Sequence, residues 1–319
     1  MNELLSEILS EIKNKSVKGG IGLKEMDDSA TIPLGDKNIV FTTDSYTVRP
    51  LFFPGGDIGK LSICGTINDL AVMGAKPIAI STAFIIGDGF SLSDLKEIMK
   101  SINRISEETN TPVVTGDTKV IEDRIALVIN TSGIGIADRI IKDSGLKVGD
   151  KIIINGTVGD HGIAILANRK GIEFETELES DCAPLYDLTR RILKYRIHAM
   201  KDPTRGGLAN TLNEFAEKSN LGILIDDEKI PFRKEVKAAS EMLGIDPLSV
   251  ANEGKIVLSV GNDDAESVLK EMRKSRYGKK AEIIGEVTEE NKGRVILNTV
   301  VDGKRILEKP RGDPVPRVC

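Results

Sequence analysis

The apolar positions of the chain change period several times, and each change marks an element. Leu4, Leu5, Ile8, Leu9 and Ile12 recur at helical spacing, so residues 3–14 are expected to form an amphipathic helix on a sheet. The loop that follows, Lys18 to Ala30, ends in the adjacent carboxylates Asp27 and Asp28. Ile39-Val-Phe-Thr-Thr43 is a short β-rich run with Asp44 directly after it. Proline and glycine between Pro50 and Gly56 give a loop. Asp57 is then placed to cap a helix to about Met73 that carries Asn68 and Asp69. Pro77 to Ile86 patterns as a buried strand, Ser91 or Ser93 opens a helix to about Asn110, and Pro112-Val-Val-Thr115 is a strand that ends near Asp117. A strand pattern from Arg124 to Ile136 closes this half. Residues 138–150 turn polar, with Gly145 and Gly149, and mark a domain boundary.

The second half opens on the strand Lys151-Ile-Ile-Ile-Asn155, a loop from Gly156 to Gly162 and a helix. A longer helix is expected from Ala183 to Ile197. Strand patterns near 222–225, 255–260 and 281–287 alternate with helical ones near 208–219, 232–243 and 265–273. The fold class is therefore α/β (α+β), with domains over residues 1–140 and 141–306. Residues 307–319 form a tail. Three prolines in Lys309-Pro-Arg-Gly-Asp-Pro-Val-Pro-Arg-Val-Cys319 forbid helix or inner strand. The tail is expected to be a flexible, semi-rigid arm of roughly 30 Å, able to carry its thiol into a neighbouring cleft.

Composition narrows the function. The 319 residues are 40% hydrophobic with a net charge of −5, which supports two packed cores and argues against nucleic-acid or anionic-membrane partners. Cys64, Cys182 and Cys319 form no CxxC pair, and His161 and His198 are the only histidines, so neither zinc nor a disulfide framework is expected. Without a signal-peptide pattern or a long apolar run, a cytoplasmic protein is expected. The phosphate-binding loops fail too. Gly59-Lys60 has Pro54 and Leu61 where a Walker A loop needs Gly and Ser or Thr, and Gly133-Ile-Gly135 meets Asp138 where a dinucleotide fingerprint needs glycine. Asp27, Asp28, Asp44, Asp69 and Asp117 remain. All but Asp69 are expected at loops or strand ends of the first domain, where acids can converge on one rim and hold Mg²⁺ with a polyphosphate.

Asp27-Asp-Ser-Ala30, Thr42-Thr-Asp44, Asn68-Asp-Leu-Ala-Val-Met-Gly-Ala75, Thr115-Gly-Asp-Thr-Lys119, Gly159-Asp-His-Gly162 and Asp202-Pro-Thr-Arg-Gly-Gly207 follow an order that resembles the aminoimidazole ribonucleotide synthetase (PurM-like) superfamily over nearly the whole chain. Within it, the stretch from Tyr46 to Gly59, Ser180-Asp-Cys-Ala-Pro-Leu185 and the terminal Pro316-Arg-Val-Cys319 resemble the HypE family of hydrogenase maturation proteins.

The resemblance implies a homodimer joined through the N-terminal sheets, with ATP bound by Asp27, Asp28, Asn68 and the other acids. Mg²⁺ would sit on Asp28, Asp44, Asp69 and Asp117. It further implies that Cys319 carries a carbamoyl group received from HypF, that ATP drives its dehydration to a thiocyanate, and that HypC/HypD accepts the cyanide. Lys119 is the candidate cation and Glu253 the candidate base, since a carboxylate drawn into a cleft gains basicity. Two alternatives stay open at this point: a thiol carrier that turns over no ATP, and another ATP-using enzyme of the superfamily.

Overall fold

The computed structural model describes residues 7–122, 125–172, 178–301, 303–312, 315, 318 and 319. The first half holds β1 (Ala30–Leu34), β2 (Lys37–Tyr46), a short hairpin of β3 (Phe52–Phe53) and β4 (Gly56–Asp57), then β5 (Lys76–Gly87), β6 (Val113–Ile121) and β7 (Leu127–Ala137). The main sheet has the order β1-β2-β7-β5-β6, with only β5 and β6 parallel. Helices Ile58–Val72 and Leu92–Thr109 cover one face. On the other face Ile32, Phe41, Ile78, Ile85, Ile134 and Ile136 are exposed, as the two-residue period of a strand dictates when no layer lies above it.

Helix Ile58–Val72 is the centre of the molecule. Asp57 caps it, its Oδ1 accepting from the N–H groups of Gly59 (2.7 Å) and Lys60 (2.9 Å). Thirteen of its fifteen residues are buried, because the helix packs on β2 and β7 and also on the second domain. Close approach to the sheet requires Gly133: a Cβ there would stand 2.6 Å from Thr66 Cγ2. The glycine pair that imitates a nucleotide fingerprint thus serves helix–sheet packing.

The second sheet has seven strands in the order β14-β13-β10-β12-β8-β11-β9. They are β8 (Lys151–Ile154), β9 (Ile197–Lys201), β10 (Gly222–Asp226), β11 (Val257–Val260), β12 (Glu282–Thr288), β13 (Val295–Asn298) and β14 (Lys304–Ile306). Alternation along β8 sends Ile152 and Ile154 into one core, with helix Gly207–Ser219, and Ile153 into another, with helices Tyr186–Ile192 and Asn262–Arg273. Among the described residues no helix is long and apolar enough to cross a membrane.

Several expected elements differ. Residues 7–10 are helical and the helix does not reach residue 14, while residues 1–6 lie outside the described residues. Asp44 and Asp117 lie inside β2 and β6, not beyond their ends, because ladder pairing continues past the apolar run; β2 stays paired to β7 as far as Tyr46 opposite Ile129. The expected helix from Ala183 to Ile197 is a seven-residue helix, Tyr186–Ile192, after which Ile197–Lys201 joins the sheet edge as β9. The short strands β13 and β14 were not expected; four and three residues are too few for a period to register.

Asn68 fastens the central helix to the second domain. Its amide donates to the carbonyls of Ala183 (3.1 Å) and Glu253 (3.3 Å) and accepts from the Leu185 N–H (2.8 Å). Asn68→Ala leaves buried backbone groups unpaired, so unfolding should become easier by ~2–3 kcal/mol. A lower urea midpoint at unchanged slope is the expected reading, and an unmoved midpoint would refute the tie.

Candidate functional site

Alternation along β2 turns Thr42, Asp44 and Tyr46 toward the central helix. Thr42 Oγ1 donates to Asp69 Oδ2 (2.7 Å), and the Tyr46 hydroxyl donates to Asp44 Oδ2 (3.3 Å). Opposite them the second domain contributes Lys201 and Asp202, where β9 ends, and Glu253. Lys201 Nζ pairs with Asp28, with Asp143 (3.3 Å) and with Glu214 (3.6 Å). Burial would lower the Lys201 pKa, but these three carboxylates outweigh it and hold the amine well above its usual range. Lys218 reaches Asp27 (2.9 Å), Asp143 (2.8 Å) and the Met26 carbonyl (2.8 Å). The loop bearing Asp27 and Asp28 is thereby pinned to the second domain.

The acids repel one another in a dry cleft. Burial, then the charges of Asp44, Asp202 and Asp28, raise Asp69 well above the usual carboxylate range. Burial together with Asp44 and Asp143 outweighs Lys201 at Asp202 and pushes it up to about 7. Glu253 is raised well above its usual value by burial, then by Cys182, Asp202, Asp181 and Asp44. Two buried oxygens aimed among these groups, Asp28 Oδ2 and Glu253 Oε1, have no hydrogen-bond partner. The Glu253 backbone is held rigidly. Asp181 accepts from its N–H (3.0 Å) and from Lys255 Nζ (2.7 Å), and a Cβ at Gly254 would fall 1.8 Å from the Asp181 carbonyl. Beside Asp27 and Asp28 a cavity of about 660 Å³ has apolar walls that include Val17, Ile21, Met26 and Phe41.

The end of the tail is docked against this cleft. Thr47, the neighbour of Tyr46, donates to the main-chain oxygen of Cys319 from N–H (3.1 Å) and Oγ1 (3.3 Å). His161 Nε2 meets the Val318 carbonyl at 2.7 Å, and Val315 and Val318 are buried. Cys319 is half-buried, Cys64 and Cys182 are buried, and none of the three forms a disulfide. Tyr46 lies in the field of Glu253 as well as Asp44, so the terminal residue is seated one position from the wall of the acid cleft.

Asp27, Asp28, Asp44 and Asp69 thus come together, joined by Asp202 and Glu253. Asn68 adjoins them but commits its amide to the second-domain backbone. Asp117 and Lys119 are not brought in within one chain. They pair with each other at 3.2 Å on the exposed edge strand β6, with β7 and β5 between them and β2, a gap of roughly 14 Å at ordinary strand spacing. Sequence reasoning missed Lys201, Asp143 and Lys218. The available signal was the alternation of Ile197-His-Ala-Met-Lys201 before the quoted Asp202 motif.

Two layered domains with an acidic cleft between them define the class, and comparison with known proteins agrees. Residues 26–137 match the N-terminal domain of the AIR synthase related proteins and residues 147–298 the C-terminal one. The chain is 55% identical to a putative hydrogenase expression/formation protein of Methanocaldococcus jannaschii, covering 100% of this chain and 96% of that protein. It is 44% identical to carbamoyl dehydratase HypE of Cupriavidus necator, covering 93% and 87%. The crystal structure of a HypE–HypF complex superposes with a TM-score of 0.89 at 42% identity, covering 96% of this chain and 99% of that one. A HypE structure in complex with ATP gives 0.86 at 35% identity, covering 98% and 96%. The chain belongs to the HypE family of hydrogenase maturation proteins.

Asp202 links stability to pH with a definite sign. Its folded value of about 7 lies above the ordinary 3.8, so its stabilisation is complete below about pH 4 and is lost as pH rises through about 7. Asp202→Asn, shaped like the neutral acid, should gain unfolding free energy relative to the parent between about pH 5 and about pH 8. Urea unfolding at the two pH values checks this; parallel behaviour of the two proteins would show that the acid is not raised.

Proposed function

We propose that the protein dehydrates a carbamoyl group carried on Cys319 to a thiocyanate at the expense of ATP, supplying cyanide for a hydrogenase iron centre. The observation that carries this is the seating of the terminal cysteine beside a cleft of buried acids with unpartnered oxygens. Family membership and the relatives' name, carbamoyl dehydratase, support it.

An amide oxygen is a poor leaving group. Transfer of the ATP γ-phosphoryl to it, with loss of one N–H proton, gives an O-phosphorylated imidate; phosphate then departs as the second N–H proton is removed. Asp27 and Asp28, at the mouth of the 660 Å³ cavity, face the nucleotide. Among the described residues no three His, Cys, Asp or Glu side chains form a ready metal cage. Mg²⁺ beside a polyphosphate needs only one or two carboxylates, however, and the unpartnered Asp28 Oδ2 with Asp44 and Asp69 fits that demand. When bound, the ion neutralises phosphate charge. Glu253 receives the nitrogen proton, its basicity raised by burial and by its acidic neighbours.

Incubation with a carbamoyl donor system and ATP tests the reading. Dehydration lowers the mass of the terminal peptide by one water, and Glu253→Gln should slow that loss by roughly a hundredfold or more. Asp44→Asn should weaken Mg-ATP binding by calorimetry. A terminal peptide that stays carbamoylated in the parent, with ATP unconsumed, would identify a carrier.

The exposed apolar face of the first sheet is read as a homodimer seam. A second copy across it brings further groups toward the cleft, which gives Asp117, as a fourth Mg²⁺ ligand, and the cation Lys119 their role. A HypF-type carbamoyl donor, a HypC/HypD-type cyanide acceptor and a cytoplasmic location complete the proposal, HypF being supported by the related complex. Phe41→Asp with Ile134→Asp places charge on that face and should yield a monomer by light scattering. A parent that is already monomeric at micromolar concentration excludes the seam.

A further inference from the structure

The reaction leaves His161 without a task, although it is fully buried. It is the second residue of helix Asp160–Lys170 and meets two partners at equal distance, the Val318 carbonyl at Nε2 and the Ser180 hydroxyl at Nδ1, both at 2.7 Å. Chemistry fixes the protons. A carbonyl only accepts, so Nε2 carries the hydrogen; in the neutral ring Nδ1 then accepts, and Ser180 donates to it. The Ser180 oxygen is free to accept in turn, and the Cys182 N–H supplies that bond at 3.1 Å. The direction is the same along the whole chain of groups, from Cys182 N–H through Ser180 and His161 to Val318. Burial favours the neutral ring this polarity needs.

The ring is also held from the side. Phe53 packs edge-on against it, with centroids 5.6 Å apart at 87°, and the Ser180 N–H donates to the Pro54 carbonyl (2.8 Å). The β3–β4 hairpin, the 180–185 segment and the tail are therefore one assembly. Thr47 grips the next main-chain oxygen, that of Cys319, so the Val318–Cys319 peptide unit is held on its carbonyl by His161 and, one residue on, by Thr47.

We propose that His161 is a positioning residue for the terminal arm: its Nε2–H, with Ser180 donating to Nδ1, latches the Val318 carbonyl and, with Thr47, fixes the direction of the Cys319 thiol. The inference rests on the reading of Cys319 as the reacting residue. Docking is nevertheless measurable without any turnover, so the two can fail separately.

In the full chain Cys319 is the half-exposed thiol and Cys64 and Cys182 are buried, so iodoacetamide labelling of the terminal peptide reports undocking. His161→Ala should label roughly tenfold faster than the parent, the factor expected for one buried hydrogen bond. His161→Gln, whose amide can donate from nearly the same place, should return the rate toward that of the parent and retain dehydration of the carbamoylated tail. In His161→Ala the dehydration rate constant should fall while the apparent KM for ATP stays. Imidazole ¹⁵N shifts of the unmodified protein should show the Nε2–H tautomer at His161, a reading that requires no variant to fold. Equal labelling of the parent and a folded His161→Ala, or an Nδ1–H tautomer, overturns the latch.

Discussion

Lys201 is a cation removed from water at the seam between the two sheets, and the shape of the cleft depends on how that charge is met. Burying an ammonium costs several kcal/mol even after relaxation. Here three carboxylates from three different segments, Asp28, Asp143 and Glu214, surround it. Loss of any one partner would leave charge uncompensated, so the first-domain loop, the inter-domain segment and helix Gly207–Ser219 are held in a single arrangement. Asn68 adds a neutral tie of the same kind, joining the buried helix to the backbone that carries Glu253.

The surplus of acids around that cation is what suits the cleft to its chemistry. Asp44, Asp69, Asp202 and Glu253 have fewer cations near them than charges of their own, and the raised values at Asp69, Asp202 and Glu253 record the mutual repulsion. A site that is over-acidic alone is relieved by a divalent ion with a polyphosphate, and part of the binding energy of such a ligand comes from that relief. Glu253 differs from the aspartates in feeling Cys182 and Asp181, and it is the group proposed as base.

The three stretches that resemble the HypE family more specifically than the superfamily, 46–59, 180–185 and the terminus, are distant in sequence but touch in the fold. Thr47 binds the tail, Phe53 and Ser180 brace His161, which also binds it, and the Pro54 carbonyl holds Ser180. They meet around the end of the arm, whereas Asp28, Asp44 and Asp69 form the other part of the cleft.

Local pattern sufficed for the elements whose period is long or whose punctuation is chemical. Asp57 and Ser91 cap helices as expected, Pro77 to Ile86 is a strand, and the glycine-flanked Glu253 lies in a loop, because capping, alternation and backbone strain are properties of a few neighbouring residues. The acids Asp27, Asp28, Asp44 and Asp69 were legible as a group. Strand order was not: nothing in the residues around Asp117 records that two strands separate β6 from β2, since sheet order is fixed by long-range pairing and by the helix that fills the face. Lys201 was hidden for a related reason. A lysine at the end of a five-residue strand reads as a surface charge until the packing of two domains encloses it, and only the tertiary structure brings Asp28, Asp143 and Glu214 around it. The tail's composition determined that it could be neither helix nor inner strand; its docked position depends on main-chain oxygens that any sequence possesses, met by His161 and Thr47, which the fold alone puts within reach.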